Sequence, residues 1–190
     1  ITGSSGFIGF SVAKHLMDAG HNVHGFDNHN KYYDVNLKKS RKKILTKYKN
    51  FSFTKGSIEN EKSLKNSILK FKPSIILHFA AQAGVRYSLD NPKIYLNSNI
   101  IGTFNVIEIA KLSKVKHLLI ASSSSVYGAN KNIPFKEIDK TETQLSIYAS
   151  TKKATESLAH SYSSLWQMPI TMMRFFTVYG PWGRPDMALF

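Results

Sequence analysis

Tyr148 and Lys152 stand four positions apart in "SIYASTKKATE". Residues at that spacing on a helix share one face, so the lysine ammonium can lie beneath the tyrosine hydroxyl and favour its ionised form. A tyrosine so placed can move protons near neutral pH. The same spacing also arises in solvated surface pairs, so its meaning depends on which elements position it.

Short apolar runs alternate with helical patterns along the whole chain, the βαβ signature of a parallel sheet. The runs are "HNVHGF" at 21–26, "FSFT" at 51–54, "SIILHF" at 74–79, "HLLIAS" at 117–122 and "ITMMRF" at 170–175. Helical patterns fall at 7–19, 35–48, 60–71, 92–113 and 147–167. Tyr148 and Lys152 open the last of these, whose Ala154, Leu158, Tyr162 and Leu165 form a stripe expected to face the core. Ile1-Thr2 reads as the end of a strand that begins before this chain, and Phe190 falls inside an apolar segment without a stop signal, as in a piece of a longer protein. No internal repeat, low-complexity tract or interdomain linker is visible.

The 190 residues, with 42% hydrophobic and 12% aromatic content, suffice for a packed core. The chain lacks cysteine, which excludes a disulfide framework and a cysteine-based metal site and fits a reducing cytosol. No apolar run is long enough to span a bilayer, and the N-terminus does not read as a signal peptide, so a cytoplasmic protein without membrane insertion is expected. Lys and Arg number 26 against 12 Asp and Glu, a net charge of +14. Much of this excess lies in "NLKKSRKKILTKYK", where Leu37, Ile44 and Leu45 recur among lysines as on an amphipathic helix with a solvated outer face. That distribution argues for an anionic small substrate and against nucleic acid. His78 and His117 border apolar strands and read as core or edge residues, because no two histidines sit at ligand spacing with a carboxylate; no metal is expected.

"GSSGFIG" places Gly3, Gly6 and Gly9 directly after a strand end and directly before an amphipathic helix. Glycines there allow a tight turn and close approach to a pyrophosphate, which the helix N-terminus attracts with its N–H donors. Asp27 stands at the end of the next strand. A carboxylate at that point accepts from the adenosine ribose and repels a 2′-phosphate, favouring NAD over NADP; the alternative is an Asp that ends a strand at a turn.

With these pieces in place, the chain resembles an extended short-chain dehydrogenase/reductase, and within that group a nucleotide-sugar epimerase of the UDP-glucuronate 4-epimerase type. The resemblance rests on "TGSSGFIG", "DNHNKYYD", "HFAAQAGVRYSLDNPKIYLNSNIIGTFNVIE", "SSSSVYG", "YASTK" and "MRFFTVYGPWGRPDMALF", in that order over essentially the whole chain. It implies an α/β fold: a Rossmann-type doubly wound parallel sheet with helices on both faces. Residues 1–190 would be most of the NAD-binding domain, with a smaller substrate domain lying outside the chain. A homodimer through the helices at 92–113 and 147–167 is also implied.

The resemblance makes Tyr148 the acid/base. Lys152 would hold the cofactor ribose and lower the tyrosine pKa, and Ser123 would share the proton of the sugar hydroxyl. Ser124 and Ser125 would contact substrate, as alternatives to Ser123 within the serine run. Relatives that eliminate water carry an Asp-Glu pair before "VYG", and relatives that decarboxylate commonly carry a Glu there. Serines have no useful acidity near neutral pH, which favours epimerisation at C4 through a 4-keto sugar. Arg184 would grip the C5 carboxylate of a uronate with a bidentate fork, with Arg86 and Thr177 also at the substrate. A phosphate clamp or a surface position is the alternative for either arginine.

For the cofactor, the resemblance further implicates Phe7, Ile8, Asn28, Ile58, Phe79, Ala80, Ala81, Gln82, Asn99 and Phe175. Relatives usually show Gly-Asp-Ile or Gly-Asp-Val after the third strand, the Asp contacting the adenine amino group. Here "GSIEN" puts Ser57 in that place, and weaker adenine binding is expected. A UDP-hexose 4-epimerase, a UDP-glucuronate decarboxylase and a non-catalytic dinucleotide sensor are the other readings; sensors often lose the Tyr or the Lys, and both are present.

Overall fold

The computed structural model describes residues 1–187, so the final Ala188, Leu189 and Phe190 of the last motif lie outside the described residues. Glycines 3, 6 and 9 open helix α1 (Phe7–Asp18), which leads into β1 (Val23–Asp27). Helix α2 (Val35–Leu45), β2 (Phe51–Lys55), α3 (Glu61–Phe71) and β3 (Ile75–His78) follow. Next come the short helices α4 (Tyr87–Asp90) and α5 (Pro92–Tyr95), a π-helical turn at Leu96–Gly102, and α6 (Thr103–Leu112). Strand β4 (His117–Ser123) runs into a 3-10 turn at Ser124–Tyr127, and α7 (Ile147–Trp166) precedes β5 (Ile170–Phe175).

The strands are parallel. β2 pairs with β1, while β3, β4 and β5 pair in that order. Thr2 bridges Phe26 on one side and His78 on the other, filling the position between β1 and β3 as expected of a strand end. The order is therefore β2-β1-Thr2-β3-β4-β5, and the chain reverses its direction of winding at Thr2, the switch point at which open α/β sheets bind ligands.

Helices cover both faces. Phe10, Ala13 and Met17 of α1 pack with Val23 and Leu45 on one side, and α3, α6 and α7 bury the larger cluster around Leu64, Val106, Ile107, Leu118 and Ile120 on the other. Each fully buried aliphatic side chain is worth about 1.5–3 kcal/mol, so the second cluster dominates the stability of the sheet. Side chains fix the helix starts: Asp34 accepts from Asn36 N–H, Asn60 from Ser63 N–H and Ser146 from Ala149 N–H.

Two sequence expectations fail. The stripe on α7 is only part of the buried face: Tyr162 joins the core and Leu158 packs against it, but Leu165 is 70% exposed, and Ala149, Thr151, Lys152, Thr155, Glu156 and Ala159 are buried as well. Small and polar residues win that face because α7 lies close to the sheet, where Glu156 accepts from Ser122 Oγ at 2.6 Å and takes the fork of Arg174 at 2.9 and 3.0 Å. The outer face of α2 is likewise not wholly solvated. Lys38 and Arg41 are buried, Arg41 at 0% exposure, because backbone carbonyls meet them: Asn30 O, just before α2, accepts from Lys38, and Ser5 O and Trp182 O, from distant loops, accept from Arg41. His78, between Thr2 Oγ1 and Thr103 Oγ1, is a core residue, as its place beside an apolar strand predicts.

Candidate active site

A cavity of about 780 Å3 opens along the carboxyl ends of the strands. At its centre the glycine loop shows why side chains are excluded. Gly3 has φ +70, and a Cβ there would lie 2.6 Å from Ala80 N; a Cβ on Gly9 would lie 2.2 Å from the Gly3 carbonyl oxygen. Strand end, loop and helix can pack this closely only as bare backbone. Helix α1 has no side-chain cap at its N-terminus, and Gly6, Phe7, Ile8 and Gly9 line the cavity, so first-turn N–H groups remain available to an anion. The cradle fits a dinucleotide pyrophosphate.

Asp27, the last residue of β1, and Asn28 just after it lie at the cavity wall. The Asp27 carboxylate accepts from Ser5 N–H at 3.0 Å and His29 N–H at 2.8 Å, so its orientation is set by the glycine loop and its own turn. Two acceptor positions remain for ribose hydroxyls. Phe79, Ala80, Ala81, Ile58 and Phe175 also line the cavity. Gln82 and Asn99 do not; they form its backing. Asn99 accepts from Gln82 N–H at 2.8 Å and donates to Gln82 O and Thr151 Oγ1, both at 3.0 Å, joining the π-helical turn to the loop after β3 and to α7. Ser57 also lies outside the lining, between Gly56 and Ile58, which belong to it.

Toward β4 and β5 the cavity is lined by Ser123, Ser124, Ser125, Tyr148, Lys152, Thr177, Arg86 and Arg184. The register sets Ser123 beside Phe175, and α7 brings Tyr148 over them. The four serines separate. Ser122 donates to Glu156, while Ser123 Oγ contacts Ser125 Oγ at 3.2 Å and accepts from Ser125 N–H at 3.2 Å. Burial pushes the Tyr148 hydroxyl up from its ordinary value, with the Ser123 hydroxyl and the Arg184 charge pulling it back.

The expected lowering of Tyr148 by Lys152 is absent from this geometry. Lys152 is buried and donates to the Ala121 carbonyl at 2.7 Å, and burial brings its own pKa down to about 8. An ammonium cut off from water takes the nearest carbonyl, and desolvation outweighs any help it gives the tyrosine.

Arg184 is also engaged. Its Nε and Nη2 each lie 2.8 Å from a carboxylate oxygen of Asp186, which accepts a further bond from Tyr32 Oη at 2.9 Å. Burial pulls the Asp186 carboxyl up, but the Arg184 fork holds it below its usual range. Behind this loop, Arg41 donates to Ser5 O, Tyr33 Oη, Trp182 O and Gly183 O, connecting the glycine loop to the segment carrying Arg184.

Sequence reasoning missed Lys38, Arg41, Glu59 and Asp186. Asp186, two residues after Arg184 in "GRPD", was visible as a neighbouring carboxylate. Nothing local marks Arg41, whose partners lie up to 142 positions away.

A parallel sheet with a glycine cradle at its switch point, and a half-buried Tyr148 with a buried Lys152 beside a serine run, define a Rossmann-type nucleotide-binding domain of the short-chain dehydrogenase/reductase class. The chain belongs to the GDP-mannose 4,6 dehydratase family, whose model matches residues 1–188. It is 53% identical over 190 residues to the probable UDP-glucuronate 4-epimerase of Rhizobium meliloti (strain 1021), covering 100% of this chain and 56% of that relative. It is 45% identical to UDP-glucuronate 4-epimerase 1 of Arabidopsis thaliana, covering 100% of this chain and 44% of that one. The chain thus spans about half the length of these relatives. Among solved structures it resembles the UDP-glucuronic acid 4-epimerase of Bacillus cereus in complex with UDP-glucuronic acid and NAD, with a TM-score of 0.92 and 33% identity over 99% of this chain and 59% of that one. The Thermus thermophilus UDP-glucose 4-epimerase complex with NAD follows at a TM-score of 0.85 and 26% identity, over 98% of this chain and 57% of that one.

Proposed function

We propose that residues 1–190 are the NAD-binding domain of an enzyme that inverts C4 of UDP-glucuronate to give UDP-galacturonate. The observation that carries this reading is the convergence on one cavity of Tyr148, hydroxyls in place of carboxylates before "VYG", and an arginine fork at Arg184. The family description names a dehydratase, but eliminating water from the sugar needs an acid beside the leaving group, and Ser124 and Ser125 cannot supply one near neutral pH.

Bound NAD supplies the hydride acceptor and donor at C4. Tyr148 takes the proton from the C4 hydroxyl as the keto form develops and returns it to the product alkoxide on the opposite face. Ser123 holds that oxygen within reach of Tyr148 Oη, and Lys152 turns from Ala121 O to the cofactor ribose. Arg184 exchanges Asp186 for the uronate carboxylate, one bidentate partner for another. A 4-keto uronate is a β-keto acid, and the fork keeps its carboxylate out of alignment with the keto π system, which suppresses loss of carbon dioxide. The high identity to two proteins named as UDP-glucuronate 4-epimerases favours a uronate over a neutral hexose.

The protein acts in the cytoplasm as a homodimer on this reading. No helix among the described residues is long and apolar enough to cross a membrane. Leu96, Ile101, Phe104 and Leu112 on the π-turn and α6, with Leu165 and Trp166 on α7, present an exposed apolar surface suited to a second copy.

The full-length protein incubated separately with UDP-glucuronate and UDP-glucose tests the function. UDP-galacturonate as the principal product supports it. UDP-galactose alone, or a UDP-pentose as principal product, overturns it in favour of a hexose epimerase or a decarboxylase.

A further inference from the structure

The strand order fixes where each part of a dinucleotide can lie. Its pyrophosphate meets the glycine loop at the central switch point, and a ribose meets Asp27 at the end of β1. The base on that ribose must therefore lie farther out, over the end of β2, where Gly56, Ile58 and Glu59 line the cavity. We propose that Glu59 reads the 6-amino group of the adenine, and that the "GSIEN" segment is an alternative base-recognition site built around it. This rests on the NAD reading above.

The carboxylate is held from both sides. Ser57 Oγ donates to one oxygen and Ser98 Oγ to the other, while Asn28 Nδ2 donates to Ser57 Oγ at 3.2 Å. The backbone is held as well, because Asn105 Nδ2 donates to Ile58 O at 2.9 Å. A carboxylate has about four acceptor positions. Two are taken by hydroxyls, and the others are available to the cavity beside the apolar surface of Ile58. A flat base with an amino edge satisfies that arrangement; a base with an oxo edge sets acceptor against acceptor.

Ser57 thus acquires a different part from the one its place in the sequence suggests. Its hydroxyl is committed to Glu59, two residues on, and it orients the reader in place of being one. The expected weakening of adenine binding does not follow, since a carboxylate is still delivered to the base edge.

The test compares binding of NAD with that of nicotinamide hypoxanthine dinucleotide, which carries an oxo group in place of the 6-amino group. Titration calorimetry on the full-length protein gives both affinities without requiring turnover. A hydrogen bond to a charged acceptor corresponds to a preference for NAD of roughly 10-fold or more. Glu59→Ala removes that preference, and Glu59→Gln, of the same shape, keeps part of it through its amide oxygen. A merely structural role weakens both dinucleotides equally and leaves their ratio unchanged; that outcome, or a wild-type protein without preference, overturns the assignment. Failure of the wild-type protein to bind either dinucleotide overturns the NAD reading itself and this site with it.

Discussion

The two ends of the cavity are built from different materials. At the glycine loop the shape is backbone: bare Cα positions, uncapped N–H groups of α1, and an Asp27 carboxylate oriented by two peptide N–H donors. At the serine and arginine end the shape is side chain against side chain: Arg184 on Asp186, Asp186 on Tyr32, Ser123 on Ser125. Backbone donors cannot relax onto an alternative partner, whereas side chains can. The cofactor end is therefore preformed, and the substrate end holds internal partners that a ligand must exchange.

Substitutions at the two ends should consequently differ in kind. Tyr148→Phe has the largest expected effect, a fall in kcat of about 10³-fold with NAD affinity nearly unchanged, because the ring still packs but the proton carrier is gone. Single-turnover reduction of bound NAD checks this, and substantial hydride transfer in the variant removes Tyr148 from the chemistry. Arg184→Ala comes next: kcat/KM for UDP-glucuronate falls by about 2–4 kcal/mol, the range for losing one partner of a hydrogen-bonded charge pair. UDP-glucose loses far less, and more pentose forms. Equal losses on both sugars without pentose would assign Arg184 to the diphosphate.

Lys152→Met separates stability from catalysis. The folded pKa of about 8 lies below the ordinary value of 10.5, so between those values the unfolded chain binds more protons and wild-type stability rises with pH. Below pH 8 the buried charge costs the apoprotein, and Lys152→Met should be more stable there by about 2 kcal/mol. Urea unfolding from about pH 7 to 10 should show this difference closing as pH rises; a constant difference would mean that Lys152 keeps its ordinary pKa and stays charged when folded. The smallest effect belongs to the preformed end. Asp27→Ala should cost about 1.5 kcal/mol of NAD affinity and improve the relative use of NADP, read from the ratio of dissociation constants. An unchanged ratio would separate Asp27 from the ribose.

The same contrast explains what the sequence could disclose. The glycine loop, Asp27 and the alternation of strands with helices depend on neighbours in the chain, and they appear where local pattern puts them. Periodicity misplaces Leu165 because it reports apolar spacing and not which face meets the sheet; Thr155 and Glu156 lie on that face, Glu156 through partners on β4 and β5. Lys38 and Arg41 resemble the other lysines and arginines of a basic helix, and only carbonyls contributed from elsewhere in the chain make their burial tolerable. "GSIEN" is legible as a departure, but Glu59 has no visible role until Ser98 is brought beside it.

Arg41 has a further consequence for protein engineering. Its guanidinium fastens Ser5 of the glycine loop and Trp182 and Gly183 of the arginine loop to a single point on α2. The two loops are therefore not interchangeable parts. A chimera that imports a foreign loop after β5 to change sugar preference brings carbonyls shaped for another anchor, and it strands a buried cation unless α2 is transplanted with it. The smallest unit that can be swapped between relatives is three discontinuous segments, joined by one side chain.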